Sequence, residues 1–177
     1  MDQTGQRPVI LVGVGGSGAS MAALAWAARE ARRRDWGLRV MRAWRSHPAR
    51  ASYAGTGSPS DEPTSEAAAT ERLAADVRAA LGGNASPGLE IKVVEGAAAR
   101  VLAEASADAD LLVLGSGHQS PVAQPDPLIV DRPVGPVIRA CLSHARCPVV
   151  IISPAMAADL GFGPVSPPYL TGTAARA

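Results

Sequence analysis

Short apolar runs rich in Val, Ile and Leu alternate along the chain with longer segments whose apolar residues recur every three or four positions. The short runs predict β-strands, and the longer segments predict α-helices. The predicted strands are Pro8–Val14, Leu38–Trp44, Leu89–Glu95, Leu111–Leu114 and Val149–Ile152. The predicted helices are Ala19–Asp35, a helix capped by Thr64 or Ser65 that runs to Leu81, Ala97–Ala107 and Val134–Ala145.

The order of these elements is strictly alternating, from a first strand to a fifth strand with one helix between each pair. This alternation predicts a single-domain, doubly wound α/β fold: a five-stranded parallel sheet with helices on both faces, as in Rossmann-like proteins. Ligands of such sheets bind beyond the carboxyl ends of the strands, where the strand order reverses. The rule points to two turns, Gly15–Gly18 and Gly115–His118.

The side-chain pattern also predicts which residues face the core. In the first helix the apolar stripe is Leu24, Ala27, Ala28 and Ala31, and Gly37 is expected to stop the helix. In the last helix the expected inward residues are Val137, Ile138, Cys141 and Leu142. The third strand alternates, with Leu89, Ile91 and Val93 on one face and Glu90 and Lys92 on the other, which favours a position at a sheet edge.

Three segments carry no periodic pattern and are rich in Ser, Pro, Gly or Ala. Residues 46–63 and 116–133 are predicted loops, and residues 154–177 are a predicted flexible tail. The folded domain is therefore expected over residues 7–153. The second loop is long for a compact domain, which makes it a candidate functional segment.

Composition and charge narrow the functional classes. The chain has 177 residues, 47% of them hydrophobic, and a net charge of +1. This near-neutral charge argues against nucleic-acid binding, which needs many basic side chains on phosphates. A basic run at Arg29, Arg32, Arg33 and Arg34 is interpreted as a solvated helix face, with a polyanion-binding patch as the alternative.

The chemistry-bearing residues form no catalytic or metal-binding pattern. Cys141 and Cys147 have neither metal-ligand nor redox-pair spacing, and His47, His118 and His144 are scattered. We expect the cysteines to pack as small apolar residues in a reducing compartment, the cytoplasm. No apolar run approaches the length of a membrane span, so no membrane contact is expected.

Three segments resemble the universal stress protein family. They are the opening VILVGVGGSGAS, the segment from Val93 to Ser116 that contains VVEGAAARVL and ADLLVLGS, and the closing SHARCPVVII. Together they cover most of residues 7–153 in the family's order. The resemblance implies an adenine nucleotide alpha hydrolase-like fold, a stress-response role through binding a nucleotide or a protein partner, and a homodimer joined through the last strand, Val149–Ile152.

The resemblance also implies a place for ATP or AMP. Many members bind ATP through a loop G-x2-G-x9-G-[ST] between the fourth strand and the fourth helix, and an aspartate after the first strand helps to hold the nucleoside. Glycines, consecutive amides and a helix N-terminus together suit phosphate groups. The candidate nucleotide cleft in this chain comprises Gly15, Ala43, Leu114, Gly115, Gly117, His118, Gly135 and Val137.

This chain departs from the family pattern at each donor position. Gly15 occupies the aspartate position, His118 occupies the second glycine position, and Pro136 occupies the hydroxyl position. Gly115 and Gly135 match the first and third glycines, but they lie 20 positions apart, where the motif has 13. We therefore expect ATP binding to be weakened or lost, unless His118, Gln119 or Ser120 supplies replacement donors.

A second motif supports a rival interpretation. Gly13-x-Gly15-x-x-Gly18 matches the dinucleotide-binding fingerprint between a strand and a helix. The acidic residue expected after the second strand is absent, and Arg42 and Arg45 stand there, as in sites for a 2′-phosphate. The alternative is therefore an NADP-binding oxidoreductase fragment. On the first interpretation these glycines serve only a tight turn.

Overall fold

The computed structural model describes residues 7–46, 65–83, 86–116, 135–153 and residue 156. Both predicted loops, except for Ser46 and Ser116, and the predicted tail, except for Met156, lie outside these residues. The strands are β1 (Val9–Gly13), β2 (Gly37–Trp44), β3 (Glu90–Glu95), β4 (Leu111–Gly115) and β5 (Val149–Ile152). The helices are α1 (Gly18–Arg34), α2 (Glu66–Leu81), α3 (Ala98–Ala105), which continues into a short 3₁₀ turn at Ser106–Asp108, and α4 (Pro136–His144).

The five strands form one parallel sheet in the order β3-β2-β1-β4-β5. The order reverses between β1 and β4, as it does in doubly wound folds. Helices α1 and α2 cover one face and α3 and α4 cover the other, and each face has its own apolar cluster. The predicted fold class is therefore confirmed.

Side-chain packing explains why the central strands are apolar throughout. Ile10 and Val12 of β1 face α1, while Leu11 faces α3 and α4, and all three are fully buried. A strand covered on both faces has no polar side, unlike a strand that alternates. The predicted stripe of α1 is buried in full, and the small alanines let this helix lie close to the sheet.

The end of α1 differs from the prediction. Gly37 does not stop the helix, because it is already the first residue of β2. The helix ends at Arg34, and Asp35 caps it: this residue adopts a left-handed conformation with φ 54° and donates its amide to the Ala31 carbonyl. Aspartate tolerates this conformation better than most residues.

Three predicted core residues are wrong. Leu142 was expected to face inward, yet it is 54% exposed, whereas Ile138 and Cys141 of the same helix are buried. Strand β3 lies at a sheet edge as predicted, with β2 as its strand neighbour. On its apolar face Leu89 and Ile91 are 37% and 42% exposed, and of the three residues only Val93 packs against the core, because an edge strand is covered on one side only.

Candidate functional site

The register of the sheet brings the ends of three strands to one level. Gly13 of β1 pairs with Met41 of β2 on one side and with Leu114 of β4 on the other. The residues that follow these positions therefore lie together at the carboxyl end of the sheet, at the switch point between β1 and β4. This end of the sheet is called the carboxyl edge below. Gly15, Ala43 and Gly115, all predicted cleft residues, lie at this edge.

The turn from β1 to α1 is held by backbone and side-chain hydrogen bonds. The Val14 amide donates to the Met41 carbonyl at 2.9 Å. Gly16 has φ 85°, a conformation that favours glycine. Ser17 caps α1: its hydroxyl accepts from the Ser20 amide at 3.2 Å. Gly15 is exposed, and a Cβ built on it meets no atom within 4 Å.

Gly115 has the opposite environment. A Cβ built on it would lie 2.2 Å from the carbonyl carbon and oxygen of Ala19 and 2.5 Å from the Ser20 nitrogen. These are backbone atoms of the first turn of α1, so no side-chain rotation relieves the collision. Glycine at the first position of the predicted nucleotide loop is thus required for the close approach of α1 to β4.

The N-terminus of α4 also lies at the carboxyl edge, because this helix follows β4 in the chain. Gly135 is the residue that caps this helix, and it makes no side-chain cap hydrogen bond. Pro136 occupies the first turn and carries no N–H. Because the first amides of a helix have no intrahelical partner, the remaining donors come from the backbone of Val137 and Ile138.

The remaining predicted cleft residues divide into two groups. Ala43, Leu114 and Val137 pack in the same apolar cluster, on the side of α3 and α4, where they support the edge from below. Gly117 and His118 lie outside the described residues. Six of the eight predicted residues are therefore described, and their assembly into a nucleotide cleft stays a prediction.

A buried ion pair lies beneath the β1–α1 turn, and the sequence reasoning missed it. Arg42 Nη2 donates to Asp76 Oδ2 at 3.0 Å, and the two side chains are 5% and 0% exposed. Arg42 Nε also donates to the Val14 carbonyl at 3.3 Å. The guanidinium therefore connects α2 to the residue that precedes Gly15. The available signal was an arginine within an apolar strand and an aspartate beside Leu73 and Val77, which lie four positions apart on one face of α2.

The Arg42–Asp76 ion pair joins two elements of the fold, but burying its two charges costs free energy. Burial raises the pKa of Asp76 from its usual value, and it outweighs the opposing attraction of Arg42 and Arg72. Arg42 Nη1 and Asp76 Oδ1 are buried without a hydrogen-bond partner among the described residues. The Val14 carbonyl is thus bonded to a member of a buried ion pair, and removing either partner of such a pair is strongly destabilising.

The dinucleotide fingerprint has a structural explanation at two points. A Cβ on Gly13 would lie 2.8 Å from Leu102 Cδ1 and 2.9 Å from Leu114 Cδ2, so this glycine serves packing against α3 and β4. Arg42, expected to suit a 2′-phosphate, is buried against Asp76 and is not available to a ligand. Arg45 alone remains exposed at that position.

Asp110 and the two cysteines, which could carry chemistry, have environments that point to structural roles. Asp110 Oδ2 accepts the Val9 amide at 2.8 Å, at the amino end of the sheet. Burial raises the pKa of both Cys141 and Cys147, which disfavours reactive thiolates. Across the described ranges, no three His, Cys, Asp or Glu residues are grouped as metal ligands. No described helix is both long and apolar enough to cross a bilayer.

A parallel sheet with a reversal between β1 and β4 and a glycine-rich turn at that point defines a Rossmann-like α/β protein. The family model of the universal stress protein family matches residues 7–153, and the chain belongs to that family. The predicted resemblance is confirmed.

Solved structures share the fold. A universal stress protein from Archaeoglobus fulgidus is 21% identical, with a TM-score of 0.57, over 83% of this chain and 94% of that one. A universal stress protein in complex with cAMP is 22% identical, with a TM-score of 0.53, over 84% and 98%. An Arabidopsis thaliana family member with AMP bound is 19% identical, with a TM-score of 0.51, over 82% and 91%. None of the curated proteins matches the chain significantly.

Proposed function

We propose that this chain is a non-catalytic stress-response binding protein in which adenine nucleotide binding is weakened or lost. The observation that carries the proposal is Gly15. It lies exposed at the switch point with open space where its Cβ would be, and it offers no carboxylate to a nucleoside. Pro136 adds to this by bringing neither a hydroxyl nor an N–H to the start of α4.

The size of the loss follows from the missing donors and acceptors. Each lost hydrogen bond to a charged group is worth about 1.5–3 kcal/mol. Because about 1.4 kcal/mol corresponds to a tenfold change in affinity, the loss of three such contacts takes a micromolar site into or beyond the millimolar range. Of the similar structures described above, one is a complex with cAMP and another has AMP bound, so adenine nucleotides are the ligands to test first.

A second candidate keeps nucleotide binding through the Gly115–Gly135 loop. The uncapped start of α4 favours it, since the amides of Val137 and Ile138 and the helix dipole suit a phosphate. This candidate needs the missing donors to come from elsewhere in the loop. ATP and AMP are its expected ligands.

Thermal unfolding with ATP, AMP, cAMP and NADP at millimolar concentrations separates these functions. A ligand at 100 times its dissociation constant adds about 2.7 kcal/mol to the free energy of unfolding. We expect little or no shift with any of the four. A large shift with ATP or AMP would favour the second candidate, and a shift with NADP alone would favour the oxidoreductase fragment, against which the burial of Arg42 already argues.

Gly15→Asp is expected to raise the affinity for AMP about tenfold or more, because it restores a carboxylate at the turn. The open space around Gly15 and its ordinary φ accommodate the side chain. Titration calorimetry with AMP measures the change, and Gly15→Asn is the matched control, equal in size without the charge. Equal affinities for wild type and both variants would contradict the assignment of Gly15 to a nucleotide cleft.

Dimerisation through β5 is also part of the proposal. This strand is at a sheet edge, and the Leu112 and Ser116 amides bond to the Pro148 and Ile152 carbonyls, so Ile151 directs its backbone groups away from β4. Ile151→Pro removes one outward N–H and leaves the bonds to β4. We expect the variant to have a lower average mass in light scattering than the wild type at the same concentration; an unchanged mass would count against this interface.

The cellular location is proposed to be the cytoplasm. Cys141 and Cys147 are both free thiols, which is typical of proteins in a reducing compartment. A protein partner is the alternative to a nucleotide as the bound species, and the exposed edges of the sheet are where such a partner would find unpaired backbone groups.

A further inference from the structure

Strand β3 presents apolar side chains to solvent at the edge of the sheet opposite β5. Its only strand neighbour within the described part of the chain is β2. Leu89, which precedes β3, is 37% exposed, and Ile91 is 42% exposed. Exposed apolar residues on a free edge are typical of strands that pair with another strand.

The backbone of β3 has hydrogen-bonding groups directed away from β2. The Gly96 amide donates to the Trp44 carbonyl at 2.8 Å, so Gly96 faces β2. In a parallel pair, alternate residues direct both N–H and C=O towards the same neighbour. Even-numbered residues of β3 therefore face β2, and Ile91 and Val93 direct their backbone groups outwards.

We propose that β3 is the contact surface for a second copy of this chain, which pairs with it antiparallel about a twofold axis at Ile91. Ile91 then lies opposite Ile91 of the second copy, and the two residues exchange backbone hydrogen bonds in both directions. Leu89 lies opposite Val93 of the second copy. The exposed apolar face of β3 in one copy then lies beside the same face in the other copy, and the two sheets join into one.

Charge selects this register. With the axis at Ile91, Glu90 lies opposite Lys92 of the second copy, and the twofold axis repeats the pair. Both occupy positions without backbone hydrogen bonds between the strands, where opposite side chains approach most closely. An axis at Lys92 would set lysine against lysine, and an axis at Val93 would set Lys92 against Val94.

The two charged side chains are half-exposed and can reach a second copy. Within one chain, Lys92 Nζ lies 3.5 Å from Glu90 Oε2, and the side chains are 51% and 50% exposed. The same Glu90 oxygen also lies 2.7 Å from Arg39 Nε. Lys92 is the only lysine in the chain. The proposal rests neither on nucleotide binding nor on pairing through β5, because β3 and β5 are opposite edges of the sheet.

The first test reverses each charge and then both, with every chain carrying Ile151→Pro so that pairing through β5 does not contribute. Glu90→Lys and Lys92→Glu each create like-charge pairs across the axis, and each is expected to weaken self-association about tenfold or more in sedimentation equilibrium. The double variant Glu90→Lys/Lys92→Glu is expected to recover wild-type affinity. Glu90 also pairs with Arg39 within the chain, so Glu90→Lys breaks that pair, whereas Lys92→Glu leaves it intact. If both variants associate more weakly, loss of the Arg39 pair is therefore not the cause.

Mixing the two single variants gives the sharper result. One then carries two lysines and the other two glutamates, so the mixture is expected to form the heterodimer far better than either variant alone forms a homodimer. Single variants that associate as tightly as the wild type, or a mixture no tighter than its components, would overturn the proposal.

A second test does not depend on charge. Ile91→Cys places a thiol on the axis, and under mild oxidation we expect a disulfide-linked dimer. Glu104→Cys, at a site 65% exposed on α3, is the matched control and is expected to cross-link far more slowly. Equal cross-linking rates for the two variants would mean that position 91 does not meet its copy.

Discussion

Gly115→Ala is expected to lower the free energy of unfolding by about 3 kcal/mol, at the upper end of the usual cost of overpacking. The added methyl group would lie 2.2 Å from the Ala19 carbonyl, and helix α1 would have to move away from β4 to admit it. Chemical denaturation followed by circular dichroism measures the loss.

Gly15→Ala is the matched control for this prediction. It also adds one methyl group at the switch point, but into open space and at an ordinary φ. We expect its stability to be unchanged or higher by up to about 1 kcal/mol, because alanine restricts the unfolded chain. Gly115→Ala within 1 kcal/mol of the wild type would show that α1 approaches β4 less closely than described.

The prediction for Gly115 bears on how the nucleotide motif is interpreted. The first glycine of the loop has a packing role that is independent of phosphate. A chain that no longer binds ATP would therefore still retain it. Its presence here does not argue for nucleotide binding, whereas Gly15 and Pro136 occupy positions that packing leaves free to change.

Asp76→Ala is expected to cost about 3–5 kcal/mol, because it breaks the buried pair, removes the hydrogen-bond acceptor of Arg42 and leaves a cavity at a fully buried position. The double variant Arg42→Met/Asp76→Leu removes both charges and fills the space with apolar groups. We expect it to recover most of that loss, since apolar replacement of a buried ion pair is often neutral or stabilising. Denaturant unfolding of the three proteins measures both effects.

An exposed pair provides the contrast. Arg100 and Glu104 of α3 form an ion pair at 2.7 Å with side chains that are 80% and 65% exposed. Glu104→Ala is expected to leave the stability nearly unchanged, because solvent already screens the charges. If Asp76→Ala is no more destabilising than Glu104→Ala, the buried pair is not formed in solution.

The pH dependence of stability follows from the direction of the Asp76 pKa. Burial raises this pKa in the folded state above its usual value of 3.8. The folded state therefore holds the proton more tightly than the unfolded chain does. The stability contributed by Asp76 is fully present below pH 3.8 and is lost as the pH rises through the raised pKa. Relative to Asp76→Asn, which does not titrate, the wild type should lose stability across this window.

The elements and their order were predictable, because each depends on residues close together in sequence. The apolar runs of β1 and β4, the stripe of α1 and the Ser65 cap of α2 all act locally, and the structure has them within a few residues of the predicted bounds. The errors occur at residues whose burial depends on tertiary packing. Leu142 has the spacing of a core residue, but α4 turns that side chain towards solvent.

The candidate site was predictable only in its location. The switch-point rule places Gly15 and Gly115 at the carboxyl ends of β1 and β4, and these two strands pair in parallel up to Gly13 and Leu114. A nucleotide cleft at that place stays a prediction. The role of each glycine was not predictable, because both are glycines after an apolar strand. One faces open space and the other touches the backbone of α1, and that difference depends on how a helix lies on the sheet.

Periodicity and turn residues act over short distances, so the strands, the helices, their alternation and hence a parallel doubly wound sheet of the universal stress protein family could be predicted from the sequence. The pairing of Arg42 with Asp76, 34 positions away, and the absence of room for a side chain at Gly115 became visible only in the folded chain. So did the exposure of Ile91 at an edge. These features depend on which distant residues meet, and short-range pattern carries no information about that.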